Sequence, residues 1–158
     1  MFALAVPPVL QALTQAEHLL GKATDDMLST RLAAGMFTCE QHFEVVASVA
    51  MRATYPLIGR QVPELPRGAK AALSAAREAV EALAHDDFDG AEARVVSHRA
   101  GFADLTQPAV EYLQCFALPN MWFHLAMVYA VLRQAGVDIG KADFDGLHAY
   151  PAGFRFDD

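Results

Sequence analysis

The sequence has 158 residues, with 12 Lys+Arg against 19 Asp+Glu, a formal net charge of -7 and 54% apolar residues. That length suits one compact domain over 1–158 that buries a core without disulfides or a structural metal. Only three lysines and no basic cluster are present. This excludes a nucleic-acid-binding surface and an anchor to anionic membranes, both of which need local positive charge.

Pro7 and Pro8 suit a first helical turn, and Val9, Leu10, Leu13, Ala16 and Leu20 then recur at helical spacing. A first helix is expected over 7–21. Residues 22–35 read as a returning loop, with a single turn at Asp25–Leu28. Thr38 followed by Gln41 fits a capping box, and Phe43, Val46, Ala47, Ala50, Ala53 and Leu57 share one face, giving a second helix over 37–57. After a proline-bearing connector, Ala69, Ala72, Leu73, Ala76, Val80 and Leu83 predict a third helix over 67–84.

Asp86-Asp87-Phe88-Asp89-Gly90 is turn chemistry, and 93–105 carries β-branched and aromatic residues around Gly101, which predicts a short hairpin. From Pro108 the pattern is helical to Ala117, and it resumes through 120–134 to Gly136, with Pro119 expected to kink or break it. The tail, 137–158, is turn-rich, with Phe144, Tyr150, Phe154 and Phe156 as anchors. Four amphipathic helices with short connections imply an all-α, up-and-down four-helix bundle with a hairpin before the last helix.

Cys39 and Cys115 lie in apolar helical contexts without metal-type spacing and are expected to be buried free thiols of a cytoplasmic protein. The start, Met1 to Pro8, lacks the basic residues and the long apolar core of an export signal. The most apolar stretch, 118–132, contains Asn120 and His124 and falls short of the roughly 20 residues of a membrane span. No membrane association is expected.

In the last helix the strings Leu118-Pro119-Asn120-Met121-Trp122-Phe123-His124 and Gly140-Lys141-Ala142-Asp143-Phe144 carry a resemblance. Val6-Pro7, Arg31-Leu32-Ala33, Met36-Phe37 and the hairpin extend it over nearly the whole chain. The sequence resembles an uncharacterised bacterial domain-of-unknown-function family within the DinB/YfiT-like superfamily of helical bundles. The resemblance implies a bundle, often dimeric, whose relatives hold a divalent metal through one histidine of the second helix and an H-x-x-x-H pair of the last. Two histidines four apart share a helical face, so both imidazoles reach one ion.

Carried over residue by residue, His124 falls at the second histidine of the pair and Asn120 at the first. The second-helix position falls near Val49, between Ser48 and Met51-Arg52, none of which is expected to ligate zinc. His42 lies seven residues before Val49, about 10 Å along the helix axis, and is not expected to fill that vertex. His124 is then the one metal-ligand candidate of the three, a degenerate site.

The leading expectation is a bundle of unknown function that takes a small molecule between helices, with His124, Asn120, Trp122 and Ser48 as binding candidates and no resident cofactor. The plain alternative is a buried His124 hydrogen-bonded to Asn120 or to a carbonyl near Pro119. An enzyme reading keeps zinc or nickel and a hydrolase or thiol-transferase reaction, with further ligands from His42, a carboxylate or a second subunit. A third reading is a non-catalytic or stress-related homodimer. Catalytic residues stay unassigned: a Cys115–His124 nucleophile pair is awkward on one continuous helix. The pairs Asp25-Asp26 and Asp157-Asp158 and the run Asp86 to Asp89 lack calcium-loop spacing and read as solvated turns.

Overall fold

The computed structural model describes residues 1–151 and Phe154. The anchor assigned to Phe156 and the acidic pair Asp157-Asp158 lie outside the described residues.

Helix α1 runs Phe2–Leu20, so it begins five residues ahead of the expected start and carries Pro7 and Pro8 inside it. A proline removes the N–H that would serve the carbonyl four residues earlier. Here those carbonyls belong to Ala3 and Leu4, both exposed residues that water can reach. The opposite face buries Val9, Ala12, Leu13, Ala16 and Leu19. A single turn, α2 (Asp25–Leu28), sits where the spacing placed it.

Helix α3 (Cys39–Arg52) opens on the expected capping box: Gln41 N–H donates to Thr38 Oγ1 at 3.1 Å and Thr38 N–H donates to Gln41 Oε1 at 2.9 Å. It ends earlier than expected because Pro56 has no N–H for the carbonyl of Arg52. The chain instead makes a short 3-10 turn, Tyr55–Ile58, closed by Gly59 at φ 68. Helix α4 (Ala69–Glu81) lies within the expected 67–84. Gly68 precedes it at φ 88, and its N–H donates to Glu44 Oε1 at 2.8 Å.

Strands β1 (Val95–Ala100) and β2 (Ala103–Pro108) form the expected hairpin, Ala100 facing Ala103 across a two-residue turn in which Gly101 takes φ 59. Short helix α5 (Ala109–Glu111) passes into a wide π-helical turn, Tyr112–Ala117, and then into α6 (Leu118–Gln134). Pro119 therefore does not break the helix. A π turn pairs each carbonyl five residues on instead of four. Placed just before Pro119, it moves the Cys115 carbonyl away from the proline ring that would otherwise clash with it.

The run Ala109–Gln134 is long and apolar enough to cross a membrane by length and composition alone. In the fold it is a bundle helix: α3 packs against α4 and α6, and α1 against the same two, so the helices stand in the ring order α1, α4, α3, α6. Arg77 of α4 ties this ring to α1 through Glu17 at 2.7 Å. Helix α7 (Lys141–Asp145) lies across α1, where Asp143 accepts from His18 at 2.7 Å. Phe144 anchors the tail as expected, against Trp122 at 5.8 Å and Tyr129 at 6.1 Å. Tyr150 and Phe154 stack on each other at 5.2 Å.

Candidate functional site

Helices α3 and α6 run side by side, and the capping box fixes the phase of α3 so that His42 sits on the stripe facing α6. There His42 meets His124. Their Nδ1 atoms are 2.9 Å apart in the bundle interior, with His42 2% exposed and His124 9% exposed. This corrects two expectations from the sequence. His42 was placed a full 10 Å from the site on the assumption that Val49 marks the α3 vertex, whereas Val49 points into the apolar core and His42 is the residue that reaches His124. The partner of His124 is likewise His42, not Asn120 or a carbonyl near Pro119.

Aromatic rings close around the pair. Phe37 stacks toward His124 at 6.1 Å and stands edge-on to His42 at 5.7 Å, while Phe123 meets His124 edge-on at 5.2 Å. Burial holds His124 down at about 4, helped by the proximity of His42 and of the Arg52 guanidinium. Burial also lowers His42. Both rings are therefore neutral at pH 7, and one proton lies between the two Nδ1 atoms.

His124 opens onto a groove of about 550 Å3 between α3, the π turn, α6 and the hairpin. Its polar lining is Arg52, Arg99, Cys115, Asn120 and His124, and its apolar walls include Phe37, Val45, Phe116 and Pro119. No Asp or Glu lines it, although the chain is acidic overall. Arg99 is paired with Asp104 across the hairpin at 3.0 Å. Arg52 has no such partner among the described residues, and its Nε is buried without a hydrogen bond. Its backbone is held in place by Tyr112, whose hydroxyl donates to the Arg52 carbonyl at 3.0 Å.

Asn120 thus shares the groove with His124, one turn before it, as the spacing implied. Cys115 is exposed, contrary to the expected buried thiol, because the π turn rotates it out of the core and into the groove wall. Cys39 is buried as expected. Ser48 and Trp122 do not join this site. Ser48 lines a separate groove of about 400 Å3 between α3 and the connector 62–67, and Trp122 turns toward Phe144 on the side of α7. The sequence reading missed Phe37, Arg52 and Arg99. The available signal was Arg52 itself, a cation at the end of an apolar stripe with no carboxylate at helical spacing.

The three-histidine centre implied by the resemblance does not fit these residues. Only two imidazole nitrogens, Nδ1 of His42 and Nδ1 of His124, converge there, and zinc needs three or four donors. Among the described residues, no three His, Cys, Asp or Glu side chains stand close enough to share one ion.

Comparison with known proteins gives a family and a fold. The family described as a domain of unknown function, DUF1993, matches residues 1–145. The crystal structure of a DinB family member protein from Shewanella denitrificans superposes with a TM-score of 0.79 at 23% identity, covering 96% of this chain and 94% of that one. No curated protein matches the sequence.

Proposed function

The chain belongs to the DUF1993 family and folds as a DinB-type bundle, and on that footing we propose that it binds a small molecule in the α3–α6 groove without a metal. The contacts assigned to the ligand are His124 and Asn120, with Arg52 beside them. Ser48 and Trp122 lie too far round the bundle to take part.

The observation that carries this reading is the Nδ1–Nδ1 hydrogen bond between His42 and His124 at 2.9 Å. It commits one nitrogen of each ring to the other, and it leaves the second nitrogen of His124 as the ring's polar contact with the groove. Groove volume supports the reading, since about 550 Å3 lies within the usual 300–1,000 Å3 of small-molecule sites. A π turn beside the groove is a further support, because such turns cluster at functional sites. Two unbridged thiols, Cys39 and Cys115, fit a reducing compartment, and we place the protein in the cytoplasm.

A metal-dependent hydrolase or thiol transferase is the second reading, favoured by the convergence of His42 on His124. It needs loss of the shared proton and at least one more donor. Metal content per chain, measured by plasma mass spectrometry after exposure to zinc and nickel and exhaustive dialysis, separates the two. The proposed reading expects well under 0.1 equivalent by order of magnitude, together with small molecules that raise the melting temperature of the wild type and not of Asn120→Ala. Near one equivalent of metal, abolished in His124→Ala, would establish the second reading instead.

A further inference from the structure

The groove contains a choice of tautomer. One of the two facing Nδ1 atoms donates and the other accepts, and the direction decides what each remaining nitrogen presents. If His124 donated, His42 would carry its proton on Nε2. That atom is buried and has no partner. If His42 donates, its Nε2 is a bare acceptor and His124 carries Nε2–H at the groove. An orphaned buried N–H is the rarer and costlier arrangement.

We propose that His42 holds His124 in the Nε2–H form, so that the groove meets its ligand with an imidazole donor beside the Arg52 guanidinium, and that the ligand is a small organic carboxylate with an apolar body. This deepens the binding reading given above and rests on it. The charges of the groove point the same way. Arg52 carries only donors and has no carboxylate partner among the described residues, Asn120 has an amide N–H to offer and no side-chain partner among them, and no carboxylate lines the groove to compete with an anion. Arg99 is already paired with Asp104, so one strong cation is available, which matches a single carboxylate. Phe37, Val45, Phe116 and Pro119 supply the wall for an apolar body. His42 is a positioning residue in this account: it never touches the ligand.

The test has two arms. Long-range 1H–15N correlation spectra of the imidazoles at pH 7.5 read the tautomer without any ligand. His124 is expected as the Nε2–H form in the wild type and in His42→Gln, whose amide restores a donor, and as a mixture in His42→Phe. Nδ1–H on His124 in the wild type overturns the proposal.

In the second arm, calorimetric titration uses 3-phenylpropionate, 4-phenylbutyrate and hexanoate beside their neutral amides and the corresponding amines. At least one carboxylate is expected to bind at least tenfold tighter than its amide, with that preference lost in Arg52→Gln. Equal or tighter binding of the amide or amine overturns the anion proposal while leaving the binding reading intact. No binding of any probe overturns both.

Discussion

The phenol of Tyr112 donates to the backbone carbonyl of Arg52 at 3.0 Å, and that carbonyl is the one that Pro56 leaves without an N–H donor. A tyrosine of the π turn therefore caps the end of α3 in place of the next helical turn. Burial raises the Tyr112 hydroxyl above its ordinary value, so it remains a donor across the neutral range. Tyr112→Phe leaves the ring in place and orphans the carbonyl, with an expected cost of about 1–2 kcal/mol. For a domain of this size that is a fall of roughly 2–8 °C in melting temperature. An unchanged melting temperature in calorimetry would show that water serves the Arg52 carbonyl equally well.

The buried histidine pair makes stability depend on pH in a defined window. His124 is lowered to about 4 and His42 is lowered as well, so the native state binds fewer protons than the unfolded chain below about pH 6.5. Stability is therefore complete above 6.5 and falls as pH drops toward 4, by at most about 1.4 kcal/mol per pH unit for each histidine. The groups that oppose protonation of His124 are its neighbour His42 and the Arg52 guanidinium. Asp87 and Asp145, held below the usual carboxylate range by backbone N–H bonds, add their own loss only at more acid pH. Urea unfolding at pH 7, 6 and 5 should show the decline in the wild type and a shallower one in His124→Gln. A flat profile from pH 7 to 5 in the wild type would contradict it.

The two thiols should differ sharply in reactivity. Cys115 is exposed in the groove wall, whereas Cys39 is buried and its thiol is pushed up to about 12 by burial, with Glu40 adding to the effect. One equivalent of maleimide is expected to react with the native protein and two with the denatured chain, counted by intact mass. A carboxylate bound in the groove should slow the native reaction. Native labelling of Cys39 would mean that the N-terminal turn of α3 opens.

Thr38 tests the cap that sets the phase of α3. Thr38→Ala removes the acceptor for Gln41 N–H and should cost about 1 kcal/mol, with Thr38→Ser near neutral. The imidazole spectra of Thr38→Ala should also broaden, because fraying of the first turn reaches His42. A destabilised variant with wild-type His42 and His124 signals would show that the cap supports the helix without positioning the pair.

The helices could be read from the chain because their signals are local. Apolar residues at 3.6-residue spacing, Thr38 with Gln41, and Gly101 between β-branched runs each act over a few residues, and each names an element that the structure contains. Boundaries were less legible where water or a distant group satisfies the backbone. Ala3 and Leu4 tolerate prolines inside α1 because they are exposed, and the Arg52 carbonyl that Pro56 leaves free at the end of α3 is served by Tyr112, sixty residues on. That His124 and Asn120 share one face was legible from one helix turn, and both line the groove. His42 was not, since its meeting with His124 depends on the relative stagger of α3 and α6, which no local pattern records. How the helix carries on past Pro119 was not legible for a related reason: the π turn that absorbs it leaves no mark in apolar periodicity.

Helix α3 is a wall shared by two hollows. Val45 and Arg52 face the groove of His124, while Glu44, Ser48 and Met51 face the one beside the connector 62–67. A guest that pushes α3 aside in one hollow reshapes the other, and linkage then requires each guest to change the affinity of the second by the same factor.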